Sequence, residues 1–348
     1  MKNDQRNNKY NTFNGIKVLR YVDYWKPILD GNIPPPLCLS IDPAGICNFK
    51  CSHCNACEAI NNKVMTIETM NDVILALTAW KTQAVCLGGG GESTLNPNIT
   101  TLMRMLNDNN IKIGMVTNGS MLHKIFDVTH TCSWIGISMD AATDRTFSTI
   151  KCVTGMFDTV VKNVSQLCKL NTTEVGYKYL IHPNNYKEIY DAAKLAKNIG
   201  CDLIHIRPGG NPWFKDINYE FTHDMITESL EQIAKAREDF QDDNFKVFGI
   251  TSKFDKNWAS KKSFSKCYAM YTTGLISPDG TIGLCFDRRG DPKVTLGSIK
   301  DYSIWGGEKH RGICKSIDVT KCPRCTGTHI NEIFENVIIE DRMSCYFY

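Results

Sequence analysis

No stretch of this chain approaches the roughly 20 apolar residues that a membrane-spanning helix needs. Its opening, MKNDQRNNKYNTFNG, lacks the apolar core of a secretory signal. No lysine or arginine block stands out, and 40 basic against 37 acidic residues leave a net charge of +3. That is too little for an extended phosphate-backbone contact surface. Internal repeats and low-complexity segments are missing too. These absences argue against a membrane or nucleic-acid partner and lead to the expectation of a cytoplasmic protein. In that compartment thiols stay reduced, so the 16 cysteines among 348 residues point to metal or cluster ligation rather than a disulfide framework. With 42% apolar and 22% charged residues, the composition is that of a soluble globular chain, long enough for one large domain with a smaller attachment.

After the polar start, residues 18–29 read as a short amphipathic helix, ended by Ile-Pro-Pro-Pro at 33–36. From Leu37 short apolar runs alternate with helical patterns. LCLSI precedes a helix at 66–80, AVCLG one at 99–107, and IKIGMV one at 121–126. WIGISM precedes a helix at 157–170, VGYKYLI one at 186–198, and DLIHIR closes the series. Six strands alternating with helices predict a parallel sheet covered on its outer face, with the chemistry on the loops after the strands. Those loops carry the cysteine run, GGGGES, TNGS, MDAATD, HPNN and RPGGNPW. A helix at 222–240, a strand near 245–250 and a polar connection follow. GLISPDGTIGLC then reads as a hairpin turning at Pro278-Asp279-Gly280. The expected organisation is an N-terminal extension at 1–36, a core at 37–250 and a small C-terminal unit at 251–348.

Cys47, Cys51 and Cys54 form a Cys-x3-Cys-x2-Cys run, with Cys57 just beyond. Three thiolates can hold three irons of a 4Fe-4S cluster and leave the fourth open to a substrate or cofactor. Cys57 offers a fourth thiol, but a ferredoxin-type run is spaced differently, so it is set aside as a non-ligand.

With these cysteines after a first strand, Gly90-Gly91-Glu92 after a second, and TNG at 117–119 and SMDAATDRTFSTI at 138–150 after the next two, the chain resembles the radical S-adenosylmethionine (SAM) enzymes over about residues 37–207. The resemblance implies an α/β fold with a partial (β/α)6, TIM-like barrel. It also implies SAM bound to the open iron of the cluster and cleaved on reduction to a 5'-deoxyadenosyl radical that takes a hydrogen atom from substrate. Gly90, Gly91 and Glu92 would then sit against the methionine part of SAM, with Glu92 positioning its ammonium group. Asn118, Ser138 and Asp140 would contact the SAM ribose or carboxylate. Lys151 takes a place where many relatives carry an arginine that pairs with the SAM carboxylate; it keeps the charge and loses the bidentate fork.

Cys267, Cys285, Cys322 and Cys325, with a hairpin between the first two and Cys-Pro-Arg-Cys at the end, are similar to the twitch form of the SPASM-type auxiliary domain. That likeness implies a second, auxiliary 4Fe-4S cluster; a zinc site on four thiolates is the other chemistry these residues could build. Cys314 and Cys345 do not fit the pattern.

A second cluster suits substrate oxidation, because an alcohol radical must lose one more electron and a proton to become a carbonyl. The overall design resembles the 2-deoxy-scyllo-inosamine dehydrogenase and sugar epimerase group. The expectation is therefore oxidation or epimerisation of a hydroxylated small molecule, a carbohydrate or cyclitol, with an electron donor such as flavodoxin or ferredoxin as partner. Arg207, ending the sixth strand, is the candidate to bind substrate or receive the alcohol proton, with a structural salt bridge as its other reading. Peptide-modifying maturases share these domains, but only about 46 residues precede Cys47, few for an added peptide-recognition domain. A non-catalytic zinc or iron-sulfur scaffold is the third class.

Overall fold

The computed structural model describes residues 5, 15–56, 59, 61–210, 213, 219–254 and 262–339. Cys57, Cys345, residues 211–212 of the sixth loop, most of the N-terminal extension and the heart of the polar connection lie outside the described residues.

Seven parallel strands form the centre in strict sequence order: β1 (Cys38–Ile41), β2 (Ala84–Leu87), β3 (Lys112–Thr117), β4 (Cys132–Ser138), β5 (Glu174–Ile181), β6 (Leu203–Pro208) and β7 (Lys246–Gly249). Helices α2 (Ile67–Trp80), α3 (Ile99–Asp108), α4 (Asp144–Lys151), α5 (Phe157–Leu170), α6 (Ile189–Asn198) and α7 (His223–Phe240) pack on the outer face, and α1 (Val22–Leu29) precedes β1. The expected α/β partial barrel is present, with the strand read near 245–250 as its seventh member. β7 pairs only with β6, so the sheet stays open on that side.

The helices start and stop where local chemistry allows. Thr66 caps α2 through a bond from Thr69 N, and Thr222 caps α7 through one from Met225 N, each worth about 1 kcal/mol. α3 buries Ile99, Leu102, Met103 and Leu106, one stripe at three- and four-residue spacing. Two expectations change. Residues 121–126 form no α-helix but fall in two 3-10 stretches, Leu122–Lys124 and Phe126–Thr131, a span too short to nucleate a regular helix. The segment read only as a loop motif contains α4, capped by Thr143 through Thr146 N.

Along β5, Val175, Tyr177, Tyr179 and Ile181 are fully buried, while Lys178 and Leu180 retain accessible surface. The period-two alternation of a strand thus sends the bulky residues to the helices and leaves Gly176, Lys178 and Leu180 for the barrel interior. Gly136 on β4 makes room there: a Cβ at that position would lie 2.5 Å from Lys178 Cε.

The C-terminal unit is built onto the same sheet. β8 (Leu275–Ile276) pairs parallel with β1 and antiparallel with β9 (Thr281–Gly283), which pairs with β10 (Thr295–Ser298). The expected hairpin forms, with Gly280 at φ +80° in its turn. Ile276, Ile282, Leu284, Leu296 and Ile299 join the barrel's own hydrophobic core. Helices α8 (Ala269–Thr272), α9 (Glu308–Ser316) and α10 (Thr328–Ile333) complete the unit. A satellite cluster of Trp25, Ile28 and Phe334 packs α1 against the segment after α10.

Candidate active site

The loop after β1 carries Cys47, Cys51 and Cys54, each partly accessible. Backbone bonds pin it to the end of α4: Lys50 N donates to Lys151 O (3.3 Å) and Ser52 N to Ile150 O (3.1 Å). Burial pushes the Cys51 thiol up to about 11, against the pull of the Lys151 ammonium and with Asp140, Cys54 and Cys47 adding to the rise. Burial likewise raises Cys47, opposed by bonds from the Phe49 backbone and the Asn118 side chain. The three thiols share one electrostatic neighbourhood, with N–H donors of Phe49 and Asn118 turned toward the Cys47 sulfur. That donor set suits thiolates held by iron, whose charge offsets the cost of ionising them in a buried loop.

Glu92 is buried and takes four hydrogen bonds. Its Oε1 accepts from Thr94 N (3.1 Å), Thr94 Oγ1 (2.6 Å) and Thr117 Oγ1 (2.6 Å), and its Oε2 accepts from Asn118 N (2.7 Å). The Glu92 backbone N–H donates to Ile46 O. One side chain thereby ties the loops after β2 and β3 to the cysteine loop, leaving acceptor capacity chiefly on Oε2. The glycines before it are set by close protein contacts. A Cβ at Gly91 would strike the Ala44 and Ile46 carbonyl oxygens, and one at Gly89, where φ is +130°, would enter the Arg289 guanidinium.

Asn118 donates to Asn48 Oδ1 (2.8 Å) and accepts from Ser120, so much of its side-chain capacity supports the cysteine loop. Asp140 is fully buried at φ +58°. Its Oδ2 lies 2.5 Å from Lys151 Nζ, 3.3 Å from Ser138 Oγ and 3.4 Å from His53 Nε2, and its Oδ1 accepts from Leu180 N. Burial alone would raise this carboxyl, but the Lys151 ammonium and His53 outweigh it and hold Asp140 well below the usual carboxylate range. Lys151 also donates to Ser138 Oγ (3.0 Å). Ser138, Asp140 and Lys151, separate candidates in the sequence, are thus one hydrogen-bonded group under Cys51.

His53 and His182 escaped the sequence reading, although the first lies between Cys51 and Cys54. Their rings lie 4.4 Å apart at a tilt of 35°, and Tyr219 meets His182 edge-on at 4.8 Å. Burial, then the proximity of His53, lowers His182 to about 3, so it is neutral.

Arg207 retains accessible surface at the end of β6. A guanidinium has no lone pair with which to receive a proton, so the proton-acceptor reading is not carried forward. Among the described residues no carboxylate lies within ion-pair distance of it either.

In the C-terminal unit the four candidate thiols come together. Cys267 responds to Cys325 and Cys285, Cys285 to Cys325, and Cys325 to Cys322. Burial pushes Cys285 up to about 12 and Cys325 to about 11. N–H donors again face sulfur: Met270 toward Cys267, Asp287 and Arg288 toward Cys285, Gly327 toward Cys325. Asn331 Nδ2 lies 3.6 Å from Cys325 Sγ. Asp287 fixes the Cys-Pro-Arg-Cys loop by accepting from Thr326 N (2.6 Å), Thr326 Oγ1 (2.9 Å) and Arg324 Nε (2.9 Å). Cys314 is buried nearby and influences Cys267. Among the described residues no three His, Cys, Asp or Glu side chains converge tightly enough for a single metal ion.

The model of the radical SAM superfamily matches residues 41–205, the span from β1 to β6 with the cysteine loop and the Glu92 and Asp140 groups. Residues 41–205 are a radical SAM domain. A domain of this kind uses a 4Fe-4S cluster and SAM, and Cys47, Cys51 and Cys54 lie within the matched span on the loop after β1. The chain is 23% identical over 269 residues to a probable GTP 3',8-cyclase of Pyrococcus horikoshii, covering 73% of this chain and 85% of that protein. It is 25% identical over 199 residues to mycofactocin maturase MftC of Mycobacterium tuberculosis, covering 56% of this chain and 49% of that one, so this match spans about half of the relative. The fold matches the crystal structure of Streptococcus suis SuiB bound to precursor peptide SuiA with a TM-score of 0.66 at 15% identity, over 87% of this chain and 71% of SuiB. Among the described residues no helix is long and apolar enough to cross a membrane.

Proposed function

We propose that this radical SAM enzyme is an oxidoreductase acting on a small hydroxylated molecule inside the barrel, with an auxiliary 4Fe-4S cluster on Cys267, Cys285, Cys322 and Cys325. When bound, the cofactors supply a 5'-deoxyadenosyl radical to take the hydrogen atom and an acceptor for the electron left behind. The observation that carries the reading is the second set of thiols, with N–H donors facing Cys267, Cys285 and Cys325, gathered around a hairpin hydrogen-bonded to β1. The barrel interior presents Ser40, Ser138, Lys178, His205 and Arg207 beside Trp134 and Leu180, a mixed lining whose polar groups suit a hydroxylated substrate.

The chain's own contributions follow from the geometry. Glu92 and Asn118 hold the cysteine loop against the loops after β2 and β3. The Lys151 and Asp140 ion pair, neutral overall, sets a fixed dipole under Cys51. Asp287 and Arg324 hold the last two thiols in register.

The test is iron and zinc per chain after anaerobic reconstitution, together with release of 5'-deoxyadenosine on reduction. About eight irons, as two 4Fe-4S clusters require, with SAM cleavage supports the reading. About four irons with one zinc makes the C-terminal site structural and overturns the auxiliary electron acceptor. The likeness to the mycofactocin maturase supports a peptide substrate as the second reading, and turnover of peptides but not of sugars or cyclitols would select it.

A further inference from the structure

Four cationic side chains, Lys178, Arg207, Lys253 and Arg324, converge at one end of the barrel interior. Lys178 and Arg207 come from adjacent strands, in a register that pairs Lys178 with His205 and Leu180 with Arg207. The Lys178 ammonium lies 3.4 Å from His205 Nδ1 and 5.5 Å from the centre of the Trp134 ring, its stem crossing Gly136 inside the barrel. Lys253 follows β7, and Arg324 reaches over from the Cys-Pro-Arg-Cys loop until its guanidinium stands 3.6 Å from where a Cβ on Gly210 would be, in the loop after β6. Arg207 feels Arg324, Asp140 and Asp287, and Lys253 feels Arg207, Arg324, Asp287 and Cys325. The group therefore sits between the Asp140 pair on the SAM side and the auxiliary thiols on the other.

Among the described residues its charge is unbalanced. Asp287 is engaged by Arg324 and Thr326, and Asp140 by Lys151. Among the described residues no carboxylate lies within ion-pair distance of Lys178, Arg207 or Lys253. Each is enclosed by protein and lowered from its ordinary value by that burial first, yet each retains accessible surface, as a group lining a recess does. Apolar residues of similar volume would cost folding less at such positions. An anion entering the recess would relieve the repulsion among these groups, and a guanidinium beside two lysine side chains matches the oxygens of a carboxylate or phosphate.

We infer that Lys178, Arg207 and Lys253, with Arg324 at the rim, form a subsite for an anionic group of the substrate, a carboxylate or a phosphate, held between the two cysteine sites. The inference rests on the preceding reading that substrate lies inside the barrel, and it narrows that substrate to a molecule that also carries negative charge.

The experiment titrates inorganic phosphate and, separately, malonate into the reconstituted full-length protein, followed by calorimetry and by tryptophan fluorescence, to which Trp134 under Lys178 contributes. Saturable binding is expected in the native chain and in Lys315→Met, which removes an exposed ammonium outside the group. Lys178→Met and Lys253→Met are expected to weaken it by at least about thirty-fold. Both variants should melt no lower than the native chain without anion, since each removes a buried charge that has no ion-pair partner among the described residues; this separates lost binding from lost structure. Phosphate alone, malonate alone or both binding in this pattern identifies the anionic group. No saturable binding, equal binding in the methionine variants, or one-for-one displacement of the anion by SAM overturns the subsite. SAM cleavage and iron content in the same preparation keep the two claims apart. Cleavage without anion binding sinks only the subsite, and anion binding without cleavage sinks only the proposed function.

Discussion

Arg289 of the C-terminal unit reaches into the barrel and sets its Nε 3.0 Å from Oδ2 of Asp42, the residue after β1, while its Nη2 lies 3.2 Å from Ser40 Oγ. Burial raises the Asp42 carboxyl and Arg289 opposes the rise. The guanidinium occupies the space that a side chain at Gly89 would need, so the glycine-rich loop after β2 makes room for the contact between Arg289 and the end of β1.

Arg289→Ala should therefore destabilise the protein by about 3–5 kcal/mol, because it strands a buried carboxylate. The Asp42→Asn, Arg289→Met double variant should recover part of that loss. Urea unfolding of the single and double variants measures the coupling; additive effects would mean that the pair contributes nothing as a pair.

Glu92→Ala should lower stability by at least about 2 kcal/mol, since it leaves buried donors of Thr94, Thr117 and Asn118 without their acceptor. SAM affinity should fall with it, as the loops around the cysteines lose their tie. Urea melts paired with SAM binding by equilibrium dialysis check both, and an unchanged melt would show that the loops are held by other contacts.

The two cysteine sets should fail differently. Cys51→Ala is expected to abolish release of 5'-deoxyadenosine, whereas Cys322→Ala should cut iron from about eight to about four per chain and stop substrate oxidation while SAM cleavage continues uncoupled. Chromatography of the nucleoside products with metal analysis reads both; full turnover by Cys322→Ala would remove the second site from the reaction.

Lys178 is pushed down to about 8, by burial first and then by Arg207, against the opposing pull of Glu174 and Cys86; the neutral His205 ring faces it from β6. In the unfolded chain a lysine titrates near 10.4, so between these values the folded state binds fewer protons and stability rises with pH. Relative to Lys178→Met, the native chain should gain on the order of 3 kcal/mol as pH climbs from 7 to 10. Urea unfolding at both ends of that range tests the sign; a constant difference would place the ammonium in contact with bulk water.

Much of the candidate site was legible because its signals are local. Cys47, Cys51 and Cys54 stand within eight residues, Glu92 follows a glycine run, and each lies just past an apolar strand. The hairpin at 275–283 announced itself through Pro278-Asp279-Gly280. The helix at 144–151 was missed because eight residues with few apolar positions give little periodicity, although Thr143 stood there as its cap. His53, Asp287 and Arg324 lay beside recognised cysteines, and position next to a ligand was the only signal they carried.

The sequence by itself determined the strand and helix alternation, the cysteine triplet and the existence of a second thiol set, since periodicity, turn chemistry and ligand spacing are written within a few consecutive residues. Only the tertiary structure decided that Asp42 answers Arg289 across a separation of 247 residues. It alone decided that Lys151 is committed to Asp140 and that Lys178, Arg207, Lys253 and Arg324 share one interior. The physical reason is that the energy of a charge depends on what surrounds it, and its surroundings exist only once distant strands and loops have been brought together around a common interior.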